Sequence, residues 1–258
     1  MTLVRNTPLN LPEIAPVPTS ERVLQLLACI ASHGRPMSAR DLSEHTGLPL
    51  STLYRHLAPL KKWGLVQEHA QTGLYEPGPL GVQLAWGFDQ HSYLMSEARS
   101  EVEQLVAQSG ESVGLLAHVH GQVICLDMQD SAQALRCSFA KGRAGSPLQG
   151  ASAKALLAFL PAHEQHALLQ QHLPEQPEAQ EQLKAVLLQI HKQAYAVSEN
   201  EVDQGVWGVS VPVFSSRKKL EASLSLMAPA SRATARHAEL IQMTMAAAAR
   251  ISRKLQAT

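Results

Sequence analysis

The chain has 258 residues, of which 45% are hydrophobic and 17% charged, and its formal net charge at pH 7 is zero. This apolar content excludes a disordered chain and is typical of one large folded domain or two ordinary ones. The balanced charge argues against a nucleic-acid binder that relies on a general excess of Lys and Arg.

The cysteine pattern and the lengths of the apolar runs indicate the cellular compartment of the protein. Cys29, Cys125 and Cys137 are widely spaced and form no CxxC pair, a usage that fits a reducing cytoplasm better than a disulfide scaffold. No apolar run approaches the roughly 20 residues that a bilayer span needs, and we see no signal peptide. The sequence therefore predicts a cytoplasmic protein with no membrane partner.

The N-terminal third predicts a small helical domain closed by a hairpin. Residues 1–18 contain four prolines and few periodic apolar positions, so we expect a flexible leader. The predicted helices that follow are 19–32, 38–45 and 49–63, and the predicted strands are 65–69 and 74–76. The first helix has Thr19 or Ser20 as its candidate N-cap, and Ser38 with Asp41 resembles a capping box at the second. Three helices and a hairpin over 19–78 predict a winged helix-turn-helix.

The rest of the chain predicts a linker and a larger mixed domain. We place the boundary near residue 92, so that 79–92 is a linker helix and 93–258 is the second domain. The predicted strands of that part are 112–119, 122–129, 134–140, 205–214 and 220–228. Its predicted helices are 93–109, 150–160, 163–172, 178–194 and 231–256. Strands around a helical middle indicate an α+β sensor-like fold.

The third helix has the composition of a DNA-reading helix. Its leucines mark a packing face, while the residues expected to reach outward are Ser51, Thr52, Tyr54, Arg55 and His56. Arg55 is the residue here that can make a bidentate contact to guanine, and Arg40 on the second helix is a further candidate contact. Residues 19–78 hold six Lys or Arg and five Asp or Glu, a net charge of +1. The alternative is a helical domain that mediates only protein contacts.

Several stretches together resemble the IclR family of bacterial regulators. The resemblance runs in the family's order over roughly residues 19–255 and is carried by GLPLSTLYRHL, SGESVGLLAHVHGQVICLD, PLQGASAKALLAFLP, NEVDQGVWGVSVPVF and LEASLSLMAPASR. It implies a winged helix-turn-helix, a linker helix and a GAF-like effector-binding domain. It also implies homodimers, often paired into tetramers, on double-stranded palindromic operators. Effectors in this family are small metabolites and frequently carboxylates.

The resemblance also suggests an effector site. The start of a helix supplies unpaired N–H groups for an anion, and the segment Gly150, Ala151 and Ser152 matches the family's helix start. Ser225 matches a position where the family often has a ligand-binding hydroxyl. The other candidate effector-binding residues are Ser198, Val206, Gly208 and Met227.

Three of these candidates depart from relatives that bind very small keto acids. Ser198 replaces an acidic residue, Gly208 replaces a cysteine, and Met227 replaces a second serine. We therefore expect a bulkier or aromatic carboxylate, with its bulk toward Val206, Trp207 and Met227.

Three other functional classes compete with an effector-responsive regulator. The enzyme signatures G-x-S-x-G, GxGxxG and P-loop are missing from the sequence, so we predict a non-enzyme that needs no cofactor. His118 with His120, and His163 with His166, supply only pairs of potential ligands, so we predict no metal site. The third alternative is a winged-helix regulator whose C-terminal domain only oligomerises and binds no effector.

Overall fold

The structure is a computed structural model that describes residues 18–257, without the side chain of Arg217. The predicted leader over 1–18 lies outside the described residues except for Pro18. The chain divides into two compact units, of which one ends at Gln90 and the other begins at His91.

The first unit contains a three-helix domain with a two-stranded antiparallel wing, and a fourth helix follows the wing. Its elements are α1 (Thr19–His33), α2 (Ala39–Thr46), α3 (Leu50–Lys62), β1 (Val66–Glu68), β2 (Tyr75–Pro77) and α4 (Leu80–His91). The predicted capping box is confirmed, since the Ser38 side chain accepts the Asp41 N–H and the Asp41 carboxylate accepts the Ser38 N–H. The predicted cap of α1 is wrong, because Pro18 occupies the N-cap and makes no side-chain cap.

The core of the first unit explains why these helices form. The residues buried together come from all three helices and from the wing: Leu26, Cys29, Ile30, Met37, Leu42, Leu48, Leu53, Leu57, Leu60, Val66 and Tyr75. Their spacing along each helix is the three- or four-residue spacing of a single apolar face.

The second unit is a six-stranded antiparallel sheet with helices on both faces. Its strands are β3 (Ser112–Val119), β4 (Gln122–Gln129), β5 (Ala144–Gly145), β6 (Ala196–Glu199), β7 (Val206–Phe214) and β8 (Leu220–Pro229), in the order β5-β4-β3-β8-β7-β6. Its helices are α5 (Tyr93–Ser109), α6 (Gly150–Leu157), α7 (Ala162–His172), α8 (Pro177–Gln193), α9 (Ala230–Ala233) and α10 (His237–Gln256). The predicted α+β arrangement is confirmed.

The two faces of this sheet differ sharply in composition. Alternate residues of the central strands point to opposite faces. One set is apolar and packs with α5 and α10, and it includes Val113, Leu115, Trp207, Val209, Val211, Leu224 and Leu226. The other set, which we call the polar face, includes Ser112, Gly114, Gly208, Ser210, Ser223, Ser225 and Met227, and its Leu116 belongs to an apolar cluster with Ala153 and Leu156 of α6. Helix α6 contacts strands β3, β6, β7 and β8, and Ser152 on that helix bonds Ser210 and Ser225 of the polar face.

Three sequence predictions of secondary structure are wrong. The predicted strand 134–140 is an exposed irregular segment, because Arg136 and Ser138 bond the Asp130 carboxylate locally instead of joining a ladder. The short strands β5 and β6 were not predicted. The predicted final helix is divided into α9, a 3₁₀ turn and α10.

Candidate DNA-reading surface and effector site

Helix α3 directs one face into the core of the first unit. Its buried residues are Leu53, His56, Leu57 and Leu60, whose spacing of three, four and seven residues defines one side of a helix. The prediction that His56 reaches outward is therefore wrong. The same spacing rule, applied to His56 as well as to the leucines, would have placed it inside.

Burial determines the protonation of His56. The residue is 2% exposed, and its Nε2 has no hydrogen-bond partner among residues 18–257. This burial lowers the pKa of His56 below its ordinary value, and the nearby cations Arg55 and Arg22 lower it further. The imidazole is a neutral core group, so it is withdrawn from the set of DNA contacts.

The outward side of α3 retains the other candidates. Ser51, Tyr54 and Arg55 are exposed, Thr52 is half-buried, and Arg40 is exposed on α2. Lys62 is also exposed and lies seven residues after Arg55, so both cations fall on one side of the helix. Sequence reasoning missed Lys62, although this spacing could have identified it.

The start of α6 is bonded to the segment around β6. Gly150 has a φ of +87°, which favours glycine. A Cβ at this position would lie 2.8 Å from Val202 Cγ2. The Gly150 N–H donates to Glu201 Oε2 at 3.1 Å, and the Ala151 N–H donates to Ser198 Oγ at 2.9 Å. The Ala151 N–H, one of the two anion donors that we predict beside that of Ser152, is thus occupied by a side chain of this chain, and so is the Gly150 N–H.

Lys154 and Glu201, which sequence reasoning missed, complete this arrangement. Lys154 lies one helical turn after Gly150 and is 9% exposed. Its Nζ is 2.5 Å from Glu201 Oε1, while Glu201 Oε2 accepts the Gly150 N–H. The Glu201 carboxylate therefore bridges a helix N–H group and a largely buried ammonium, a charge-assisted arrangement.

Three hydroxyl groups form a closed cluster between α6 and the polar face. Ser152 Oγ lies 2.9 Å from Ser225 Oγ and 3.2 Å from Ser210 Oγ, and Ser210 and Ser225 are 2.7 Å apart. Ser152 is 9% exposed and the other two are 1% exposed. The structure thus brings the predicted Ser152 and Ser225 together and adds Ser210.

A fourth serine of the polar face is buried without a partner. Ser223 precedes Ser225 by two residues on β8 and is completely buried. Its Oγ has no hydrogen-bond partner in the part of the chain that the structure describes. A buried hydroxyl without a partner is costly, which makes Ser223 a candidate to bond a polar ligand atom.

The remaining candidates divide between the two sides of the sheet. Gly208 pairs with Met227 and with Ser198 on the neighbouring strands, and Val206 shares the face of Gly208 by strand alternation. The prediction that Trp207 faces the effector together with Val206 and Met227 is wrong. Trp207 belongs to the opposite core and stacks on His237 with ring centroids 4.7 Å apart.

The described residues also bear on two other features, a metal site and a membrane span. Within residues 18–257, no group of three or more His, Cys, Asp or Glu side chains is arranged to hold a metal ion. None of the described helices is both long enough and apolar enough to span a membrane.

Family models match both units of the chain. The IclR helix-turn-helix domain matches residues 19–70, and the C-terminal domain of bacterial transcriptional regulator IclR matches residues 90–253. The chain belongs to the IclR family. It is a transcriptional regulator of the IclR type with a DNA-binding helix-turn-helix.

Individual relatives and solved structures agree with this family. The HTH-type transcriptional regulator XynR of Escherichia coli is 28% identical, over 82% of this chain and 86% of the relative. The acetate operon repressor of Salmonella typhimurium is 26% identical, over 86% and 84%. A crystal structure of an IclR regulator from Silicibacter sp. TM1040 superposes with a TM-score of 0.81 at 22% identity, covering 92% of this chain and 96% of that one. This last likeness concerns the fold alone.

Proposed function

We propose that this IclR-family chain is a cytoplasmic regulator that binds a palindromic operator as a homodimer or tetramer and changes its operator affinity when a small organic acid binds the second unit. The observation that carries the effector part is the buried polar face beneath α6. Ser210, Ser223 and Ser225 are almost completely buried there, next to an apolar cluster that includes Leu116 of the same face and Leu156 of α6.

The DNA-binding part of the proposal rests on the outward side of α3. Arg55 reads a base edge, because a guanidinium can contact two acceptors of guanine at once. Ser51, Thr52 and Tyr54 add hydrogen bonds to bases or phosphates, and the cations Arg40 and Lys62 contact phosphates. With a net charge of only +1 on residues 19–78, the arrangement of these cations matters more than their number.

The oligomer is proposed from the composition of α4. This helix has no buried residue, and four of its apolar side chains are at least 42% exposed: Val82, Leu84, Trp86 and Phe88. A helix that is apolar on several sides is stable in water only when another surface covers it. We assign the same helix of a second copy to this role, which places two recognition helices on one duplex.

The effector is proposed to bind between α6 and the polar face. Its carboxylate lies at the N–H groups of Gly150 and Ala151, where Ser198 and Glu201 are bonded in this structure. Ser152 and Ser225 supply hydroxyl groups to its polar part. Its remaining atoms lie toward Val206, Gly208 and Met227, where a flexible thioether adapts to an irregular ligand.

Footprinting of the full chain on DNA selected from a random pool tests the regulator model. The expected result is a protected site with two related half-sites about one helical turn, or a multiple of it, apart. Binding without sequence preference would contradict it.

Calorimetry with pyruvate, glyoxylate, benzoate and phenylacetate tests the effector, and we expect the bulkier acids to bind more tightly.

A further inference from the structure

We infer that Glu201 is an internal ligand, whose carboxylate occupies the anion clamp formed by the Gly150 N–H and the Lys154 ammonium, and that an effector acid takes over this clamp. The inference rests on the proposed function, and it assigns to Lys154 the role of counter-ion for the effector carboxylate. The segment between β6 and β7, which carries Glu201, then has to move away when the acid binds.

The geometry of the clamp is that of a bound carboxylate. The two oxygens of Glu201 are divided between two donors, with Oε2 3.1 Å from the Gly150 nitrogen and Oε1 2.5 Å from Lys154 Nζ. The Lys154 side chain is 11% exposed, whereas that of Glu201 is 37% exposed. The cation is therefore fixed in the interior of the unit, and the anion approaches from the solvent side.

The electrostatics of Lys154 require an anion in this position. A largely buried ammonium without a counter-ion is strongly unfavourable. Its other bond, to the Val197 carbonyl oxygen, is 3.4 Å long and carries no full charge. When Glu201 leaves, another carboxylate must replace it, and this ties the opening of the segment to the arrival of an acid.

A buried hydroxyl group under the same helix is a second observation, independent of the clamp. Ser223 Oγ is completely buried without a hydrogen-bond partner among the described residues, and it lies on the polar face that α6 covers. The clamp would hold the carboxylate of an acid, and the polar face would accept its other polar atoms.

The segment is attached to the clamp by few contacts. Residues 199–205 are exposed, and the Glu201 carboxylate is the charged group that holds them at α6. Val202 lies against Gly150, with Cγ2 2.8 Å from the position of a Cβ there. The Asn200 side chain accepts the Gly205 N–H, so the two ends of the segment are bonded to each other.

Chemical rescue by acetate tests the clamp on the full chain without DNA or effector. The variant Glu201→Ala removes the internal carboxylate, and Glu199→Ala removes an exposed carboxylate of the same region as a matched control. Each variant is melted in about 0.1 M sodium acetate and in sodium chloride of equal ionic strength. We expect acetate to raise the Tm of Glu201→Ala by about 3 °C or more over chloride, with no difference for wild type or Glu199→Ala.

A second substitution tests whether acetate acts at Lys154. Adding Lys154→Gln to Glu201→Ala should abolish the acetate effect, because the counter-ion is gone. An equal acetate response in the double variant, or none in a folded Glu201→Ala chain, would overturn the inference. If Glu201→Ala does not fold in either salt, Glu201→Gln replaces it. Acetate must then raise the Tm of Glu201→Gln more than that of wild type. Equal rises in Tm would contradict the inference.

The acetate experiment and the test of the proposed function can be contradicted independently of each other. If acetate rescues Glu201→Ala but no acid alters operator affinity, the clamp is supported and the effector model is rejected. If an acid alters operator affinity but acetate does not rescue Glu201→Ala, the effector model is supported and the role of Glu201 is rejected.

Discussion

Ser210 and Ser225 lie opposite each other on neighbouring strands, and their hydroxyl oxygens are 2.7 Å apart in a site that is almost completely closed to solvent. Both also lie within hydrogen-bond distance of Ser152 on α6. This pair therefore connects the centre of the sheet to the helix whose start we assign to the effector.

Removing one hydroxyl of the pair should destabilise the protein. Ser225→Ala leaves Ser152 and Ser210 with fewer partners in a buried place, so we expect a loss of about 1–3 kcal/mol in the free energy of unfolding. Ser210→Ala should cost a similar amount, and the double variant should cost less than the sum of the two. Urea unfolding of the three variants measures this, and strictly additive losses would show that the hydroxyls do not interact.

Substitution of Arg55 should affect specific DNA binding in particular. We expect Arg55→Ala to weaken operator binding by about 1–3 kcal/mol, because the bidentate base contact is lost. Thr52→Ala should have a smaller effect in the same direction. Fluorescence anisotropy on operator and random DNA separates the roles, with Lys184→Ala on helix α8 of the second unit as a control. An equal loss on both DNAs would make Arg55 a phosphate contact.

A charge on α4 should break the proposed oligomer. Val82 is 73% exposed in the single chain, and a glutamate there would place a charge in the apolar contact between two copies. We expect Val82→Glu to weaken self-association at least about tenfold, or about 1.4 kcal/mol, in sedimentation equilibrium. Leu188→Glu, at an exposed leucine of α8, should not change it. If both variants associate like wild type, α4 is not the interface.

Acidification should destabilise the protein through one buried and two half-buried histidines. Burial lowers the pKa values of His56, His118 and His172 in the folded chain, so the unfolded chain binds protons more tightly than the folded one. Stability is therefore greatest above the ordinary histidine pKa of about 6.5 and falls as pH decreases through it toward the lower folded values.

One substitution isolates the share of His56 in this pH dependence. The fall in Tm between about pH 8 and pH 5.5 should be smaller in His56→Leu than in wild type, since one buried proton acceptor is gone. His69→Leu, at an exposed histidine of the wing, should leave the fall unchanged. The same fall in all three proteins would show that protonation of His56 does not contribute.

The elements that sequence reasoning found are those whose signals are local. The capping box at Ser38 and the apolar spacing of α3 act within a few residues, and the antiparallel strands β3 and β4 follow from alternation and a tight turn. His56 was misplaced because its residue type was given more weight than its position on the helix. Trp207 was misplaced because adjacent residues of a strand point to opposite faces.

The contacts of the candidate site could not be predicted in the same way. Glu201 lies 51 residues from Gly150 along the chain, and Ser198 lies 47 residues from Ala151. These partners become neighbours only through the packing of α6 on the sheet and the register of β6. Ser210 could be assigned to the face of Gly208 by alternation, but its pairing with Ser225 depends on the register of β7 and β8.

The central claim is that an acid bound in the second unit changes the affinity of the first unit for DNA. The most direct measurement is the Kd of the full chain for its selected operator, with and without each acid of the calorimetric panel. We expect at least one acid to change this Kd about fivefold or more, and Ser225→Ala to require more of that acid for the same change. No change with any acid, while operator binding itself is intact, would contradict the claim and support a second unit that only oligomerises.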